Sequence, residues 1–215
     1  LNMLKEKAKS LTLQTDNEIL TLLKNNFPDI NIIPKSQKID DYDVVIPIMD
    51  VPYALNMDLY NIPFSNGYLN ADEQLINKFS KLDIFKSEKK KIGLFYKGNR
   101  KIFKNRSINF NEFVDLLKSD NCVFYSFQID DNLKESDNVI NLKKYIKDYN
   151  DTAALLKTID LLITIDSSIV HAAGALGVKT LLLLPKTAEW RWFNDEYTTP
   201  WYESVKIYKQ KISKD

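Results

Sequence analysis

Along this chain, short apolar runs alternate with stretches whose apolar positions recur every three to four residues, the signature of strands joined by helices. The second half carries the pattern most regularly. Residues 92–96 predict a strand, 110–118 an amphipathic helix, 123–126 a strand, and 151–158 a helix opened by Asp151 and Thr152. Residues 161–165 predict a further strand, 168–176 a helix stopped by Gly177, and 180–184 a strand closed by Pro185. Strands apolar on both faces and alternating with helices predict an α/β fold with a parallel sheet covered on both sides. Right-handed crossovers then bring the carboxyl ends of the strands to one edge, where ligands of such sheets bind.

The first half is sparser. It predicts a strand at 11–13, a helix at 16–26 with Asp16 as N-cap, an extended segment at 30–33 and a polar helix at 72–82. Val44, Val45 and Ile46, closed by Pro47, predict a buried strand, and residues 49–68 a long functional loop. The charged run 86–91 marks a boundary between an amino-terminal domain, 1–86, and a carboxyl-terminal domain, 87–215.

Composition removes several classes. With 44% hydrophobic and 27% charged residues in 215, the chain is neither disordered nor fibrous. Thirty Lys+Arg against 29 Asp+Glu leave a net charge of +1, too little basic field for a general nucleic-acid partner. Its apolar runs are strand-sized, far short of a membrane span. Leu1, Asn2, Met3 and Leu4 run straight into charge without the apolar core of a secretory signal, and Cys122 is the single cysteine, so a cytoplasmic location is expected. Only three positive charges are Arg: Arg100, Arg106 and Arg191.

Three groups of residues suit chemistry. In the first, the strand at 161–165 delivers Asp166 and Ser167 to the sheet edge, with Ser167 placed to cap the helix beginning at Ser168. Backbone N–H groups and the positive helix end then form an anion site, and His171 lies one turn on. The same residues also read as an ordinary cap with a structural histidine. A serine hydrolase is disfavoured, since no Gly-x-Ser-x-Gly surrounds either serine. A nicotinamide enzyme is disfavoured too, because Gly174 and Gly177 come at the end of the helix instead of the turn that opens it.

The second group follows the strand at 92–96: Gly98 and Asn99 in a permissive turn, then Arg106 with a planar fork suited to paired phosphate oxygens. A solvated basic loop is the alternative. In the third, Glu189, Trp190, Arg191, Trp192 and Trp201 follow the strand at 180–184, placing all three tryptophans within twelve residues. Such crowding suits a flat base or sugar ring, or else the packing of a surface helix.

Together, Asp166-Ser167-Ser168, His171, Gly174-Ala175-Leu176-Gly177, Leu184-Pro185 and Glu189-Trp190-Arg191-Trp192 resemble the carboxyl half of heptosyltransferase-like (family 9) glycosyltransferases, including versions attached to tetratricopeptide repeats. Gly98-Asn99, Arg106-Ser107, Ser126-Phe127-Gln128, Asp151-Thr152-Ala153-Ala154 and Thr199-Pro200-Trp201-Tyr202 extend the likeness over residues 92–208. The resemblance implies a GT-B fold of two Rossmann-like parallel-sheet domains, with a nucleotide-sugar donor held mainly by the carboxyl-terminal one. It implies inverting transfer to a glycan or protein acceptor, with no metal and no cofactor beyond the nucleotide-sugar co-substrate. Carried across by residue, Asp166 and His171 are the catalytic candidates, with Gly98, Asn99, Arg106, Ser167 and Ser168 on the donor phosphates. Glu189, Trp190 and Arg191 then lie near the base or acceptor. A tetratricopeptide-repeat partner or neighbouring domain is implied as well.

The family's amino-terminal strand and its Gly-Asp turn, which supplies the acceptor-activating carboxylate, fall before Leu1. The amino-terminal domain is therefore expected to be incomplete, with Asp50 and Asp58 the substitutes for that carboxylate. Two alternatives follow: a non-catalytic sugar-nucleotide-binding or assembly module, and a strand supplied by a longer polypeptide or a neighbouring subunit.

Overall fold

The computed structural model describes residues 1–98, 106–130, 139–193 and 197–211. The short helix α1 (Asn2–Lys5) leads to β1 (Thr12–Thr15), α2 (Asn17–Asn26) and β2 (Asn31–Pro34). After α3 (Val51–Ala54) and α4 (Glu73–Ser80) come β3 (Lys90–Phe95), α5 (Val114–Leu117), β4 (Cys122–Ser126) and β5 (Val139–Asn141). The chain then forms α6 (Tyr149–Leu156), β6 (Leu161–Ile165), α7 (Ser168–Ala175), β7 (Thr180–Leu184) and β8 (Val205–Lys209).

Strands β3 to β8 form one six-stranded sheet in the order β5-β4-β3-β6-β7-β8, every pair parallel. That is the doubly wound order: the chain moves outward from β3 to β5, crosses back, and moves outward the other way from β6. Leu94, Leu162 and Leu182 in the three middle strands are fully buried, as a sheet covered on both faces requires. Helix α6 is the centrepiece of the largest core. Its Ala153, Ala154, Leu155 and Leu156 have no exposed surface, and Leu22 of α2 and Phe79 of α4 join the same cluster.

Local chemistry explains the helix starts. Asp148 caps α6, accepting from the amides of Asn150 (2.8 Å) and Asp151 (3.1 Å), so this helix starts earlier than the sequence pattern placed it. Asp72 caps α4 by accepting from Gln74 and Leu75. At its far end α7 stops where Gly177 takes a φ of +68°, a left-handed conformation that glycine adopts without penalty.

Several expectations are corrected. Val44, Val45 and Ile46 form no strand and are 81%, 68% and 38% exposed. An extended apolar run is stable only where neighbours take its backbone groups, and no described element pairs with it. Residues 110–118 make a 3-10 turn (Phe110–Phe113) followed by a single α-helical turn. Strands β5 and β8 were not foreseen: β5 spans three residues, and β8 keeps only Val205 and Ile207 buried on one face. In the amino-terminal half, β1 and β2 form a separate two-stranded parallel sheet.

Candidate functional site

In the strand order above, the chain reverses direction between β3 and β6, and the loops leaving these two strands diverge to open a crevice. A cavity of about 760 Å³ lies there. Its walls include Lys97 and Gly98 after β3, Gln128 after β4, Asp166 after β6, and Ser167, Ser168 and Ile169 at the start of α7. Asp148 and Tyr149 at the start of α6 close one side, and Glu18 of α2 reaches the cavity from the amino-terminal half.

Arg106 also lines this cavity, although its side chain is only 15% exposed. Its Nη1 lies 3.2 Å from Oδ2 of the buried Asp166, and its Nη2 lies 2.7 Å from Oε1 of Glu189. Glu189 in turn reaches Arg191, with Oε2 3.6 Å from Nη2. Two carboxylates and two guanidiniums thus alternate along one chain of contacts, joining the loop after β3, the end of β6 and the segment after β7. Arg suits this place because its fork meets two carboxylates at once.

The start of α7 departs from a simple cap. Ser167 occupies the N-cap position with extended backbone, but its hydroxyl donates to the carbonyl of Ile165 (3.2 Å) and accepts from no helix amide. The Ser168 hydroxyl is hydrogen-bonded to the Tyr149 hydroxyl. Burial raises the Tyr149 pKa, partly offset by that bond and reinforced by the nearby Glu18 carboxylate. Gly98 differs from its expected use as well. Its amide donates to Ser107 Oγ (3.1 Å), and a methyl group added there would meet Ile165 Cδ1 at an ordinary 3.5 Å. Asn99, the other candidate in that turn, lies outside the described residues.

His171 is not on the cavity wall. Its ring stacks on Trp192, with centroids 5.3 Å apart and planes 11° from parallel, and its Nδ1 lies 3.1 Å from the Tyr202 hydroxyl. Burial lowers its pKa, Arg191 and Arg106 lower it further, and Asp166 opposes them, so its surroundings favour the neutral imidazole. The three tryptophans divide by environment. Trp192 is fully buried, Trp201 donates from Nε1 to the Arg191 carbonyl (2.7 Å), and Trp190 is 67% exposed. Crowding of tryptophans in the sequence thus serves the packing of this segment at Trp192 and Trp201, and leaves Trp190 as the tryptophan open to solvent.

The structure therefore gathers Gly98, Arg106, Asp166, Ser167 and Ser168 on one cavity. Glu189 and Arg191 join them through the ion-pair chain, while His171 and Trp190 stand apart. Asp50 and Asp58 do not line the cavity; Asp58 instead accepts from the amides of Tyr60 (2.8 Å) and Asn61 (3.1 Å). Residues not foreseen include Gln128, which clamps Lys97 by accepting from its amide (3.1 Å) and donating to its carbonyl (2.9 Å). Tyr149, Glu18 and Tyr202 were also missed. Gln128 and Tyr202 lie in stretches that carry the resemblance noted above, but residue type and spacing single out none of the four, since each acts across a contact between distant segments.

No family model matches the sequence, and no curated protein matches it. Among solved structures, the E. coli ADP-heptose lps heptosyltransferase II is similar with a TM-score of 0.62 at 13% identity, over 96% of this chain and 83% of that one. The glycosyl transferase family 9 structure from Veillonella parvula DSM 2008 is similar with a TM-score of 0.53 at 14% identity, over 96% of this chain and 58% of that one. At such identities the likeness is one of fold, and it agrees with the expected GT-B-like α/β architecture. Among the described residues, no helix is long and apolar enough to cross a membrane.

Proposed function

We propose that this chain is a glycosyltransferase whose nucleotide-sugar donor occupies the cavity between β3 and β6. The observation that carries this reading is the convergence of Arg106, Asp166 and the start of α7 on one cavity at the reversal point of a doubly wound sheet. Helix α7 offers its first amides and the positive end of its dipole to the donor's diphosphate. Arg106 supplies a guanidinium that exchanges a carboxylate partner for phosphate oxygens. Transfer with inversion forms a bond from an acceptor hydroxyl oxygen to the anomeric carbon, the hydroxyl proton passing to solvent, and breaks the bond from that carbon to the diphosphate. The electron pair leaves with the diphosphate, where Arg106 and the helix end meet the developing charge. Asp166, at 3.2 Å from Arg106, sets the position of that guanidinium and borders the sugar's place in the cavity.

The fold likeness to a heptosyltransferase and a family 9 glycosyltransferase supports this reading. The test is a thermal-shift series with ADP, GDP, UDP, CMP and TDP and their sugar conjugates, followed by assay of donor hydrolysis and transfer. A nucleotide at 100 times its Kd adds about 2.7 kcal/mol, which is a rise of roughly 5–10 °C for a chain of this size. A rise with one nucleotide that is lost in Arg106→Lys supports the donor site. No rise with any of them refutes it. Binding without hydrolysis or transfer favours the second reading, a non-catalytic binding module, to which the internal neutralisation of Arg106 by Asp166 and Glu189 is equally suited.

A further inference from the structure

Asn66-Gly67 is the one Asn-Gly pair in the chain, and the fold explains why glycine stands there. Residues 65–69 run as a strap past the end of α7, tied on both sides of that pair. Upstream, the Ser65 carbonyl accepts from the Glu203 amide (2.9 Å) and the Ser65 hydroxyl donates to Glu203 Oε1 (2.7 Å). Downstream, the amides of Tyr68 and Leu69 both donate to the Ala175 carbonyl, each at 2.8 Å. Between these ties the strap passes so close to Gly177 that a methyl on Gly67 would stand 3.2 Å from the Gly177 nitrogen. Gly67 also takes a φ of +110°, which a Cβ disfavours. Asn66 is exposed, and its side-chain amide makes no hydrogen bond among the described residues. It lines a second cavity, of about 600 Å³, at the amino ends of β6 and β7, beside Lys179, Lys206 and Glu203. The Gly67 amide donates to the Phe64 carbonyl at 3.2 Å, the long limit of such a bond.

We propose that Asn66 is a self-modification site, converting to isoaspartate in the folded protein and thereby releasing the strap. The Gly67 nitrogen bonds to Cγ of Asn66, with no Cβ on residue 67 to block its approach. The Cγ–Nδ2 bond breaks, and Nδ2 leaves as ammonia with the Gly67 amide proton, closing a five-membered imide. Water then opens the ring at either carbonyl. Opening at Cγ leaves aspartate; opening at the former backbone carbonyl leaves isoaspartate, whose main chain is one carbon longer. Aspartate changes charge alone and sets a carboxylate on a wall shared with Lys179 and Lys206, so the strap tolerates it. Isoaspartate adds length between two fixed ties, at a place where a methyl on Gly177 would already meet the Asn66 oxygen at 3.2 Å, so a tie must open. This inference is independent of the proposed transferase activity.

The test incubates the full chain at mildly alkaline pH, well below its melting temperature, beside a sample unfolded in urea. Peptide mapping follows the mass change from amide to acid, and labelling by an isoaspartyl methyltransferase separates the two products. With no Cβ on its neighbour, Asn66 in the folded chain should convert about tenfold faster than any other Asn, with isoaspartate among the products. The isoaspartate form, isolated by chromatography, should lose hydrogen-exchange protection at residues 67–69 and 203. Asn66→Asp should keep that protection, and Asn66→Gln should stay unconverted and protected. The proposal is overturned if Asn66 converts only in urea or no faster than other Asn. It is also overturned if the isoaspartate form keeps its protection, or if N66D loses protection to the same extent.

Discussion

Removing Asp166 and Glu189 singly and together measures how far Arg106 depends on both. Arg106 is 85% covered and hydrogen-bonded or ion-paired to each, so Asp166→Asn and Glu189→Gln each leave it one of these carboxylates. A hydrogen bond to a charged group contributes about 1.5–3 kcal/mol, so each single change should cost about 2 kcal/mol, or roughly 4–8 °C in Tm. The double variant removes both carboxylates from a guanidinium that stays largely buried. Both losses fall on one guanidinium, so the double loss should depart from the sum of the single losses by about 0.5–3 kcal/mol. Urea denaturation of the four proteins gives the coupling. Additivity within about 0.5 kcal/mol would refute the shared role of Arg106. The same variants test the ligand. With both arginines and both carboxylates the cluster is balanced, and Glu189→Gln leaves it one positive charge in excess. At an effective dielectric near 20 that charge attracts each negative charge of a diphosphate at about 6 Å by on the order of 3 kcal/mol, so nucleoside diphosphate should bind E189Q about tenfold tighter or more. Unchanged or weaker binding by titration calorimetry would show that the diphosphate does not compete for Arg106.

Arg106→Lys should lower nucleotide affinity by tenfold or more, since a point charge cannot meet two partners as a fork does; calorimetry with the nucleotide found by thermal shift checks this. Gly174→Ala should destabilise by about 1–3 kcal/mol, because the added methyl would stand 2.3 Å from Cγ of Tyr202, a buried ring held against His171. Gly93→Ala meets the flexible end of Ile159 at 2.5 Å and the Phe127 ring edge at 2.9 Å, and should cost less; chemical denaturation of both ranks them. His171 carries a pKa lowered from 6.5 by burial, so the unfolded chain binds a proton that the folded chain refuses. Stability should therefore fall as pH drops from about 6.5 through the folded value, and His171→Asn should flatten that part of the Tm–pH curve.

Much of the site was legible because it follows directly from local rules. A buried strand ending in Asp166-Ser167-Ser168 and followed by a small-residue helix fixes both the strand β6 and the start of α7. Arg106 stood out through the scarcity of arginine. The rest depended on partners remote in sequence. Ser167 was expected to cap α7, yet its hydroxyl bonds backward to Ile165. His171 was expected to face the same small volume as Asp166, yet Trp192 and Tyr202, more than twenty residues later, hold it in a stacked pocket. The run at 44–46 had the composition of a buried strand, but composition supplies no neighbour.

The sequence by itself determined the alternation of strands and helices in the second half, the edge at which candidate residues collect, and the net charge. Each of these arises from periodicity or from chemistry within a few residues. Only the tertiary structure decided that β3 and β6 are neighbours, that one arginine is divided between Asp166 and Glu189, and that His171 stacks on Trp192. These are outcomes of which segments pack together, and packing is set by the summed burial of many side chains whose contacts no local pattern encodes.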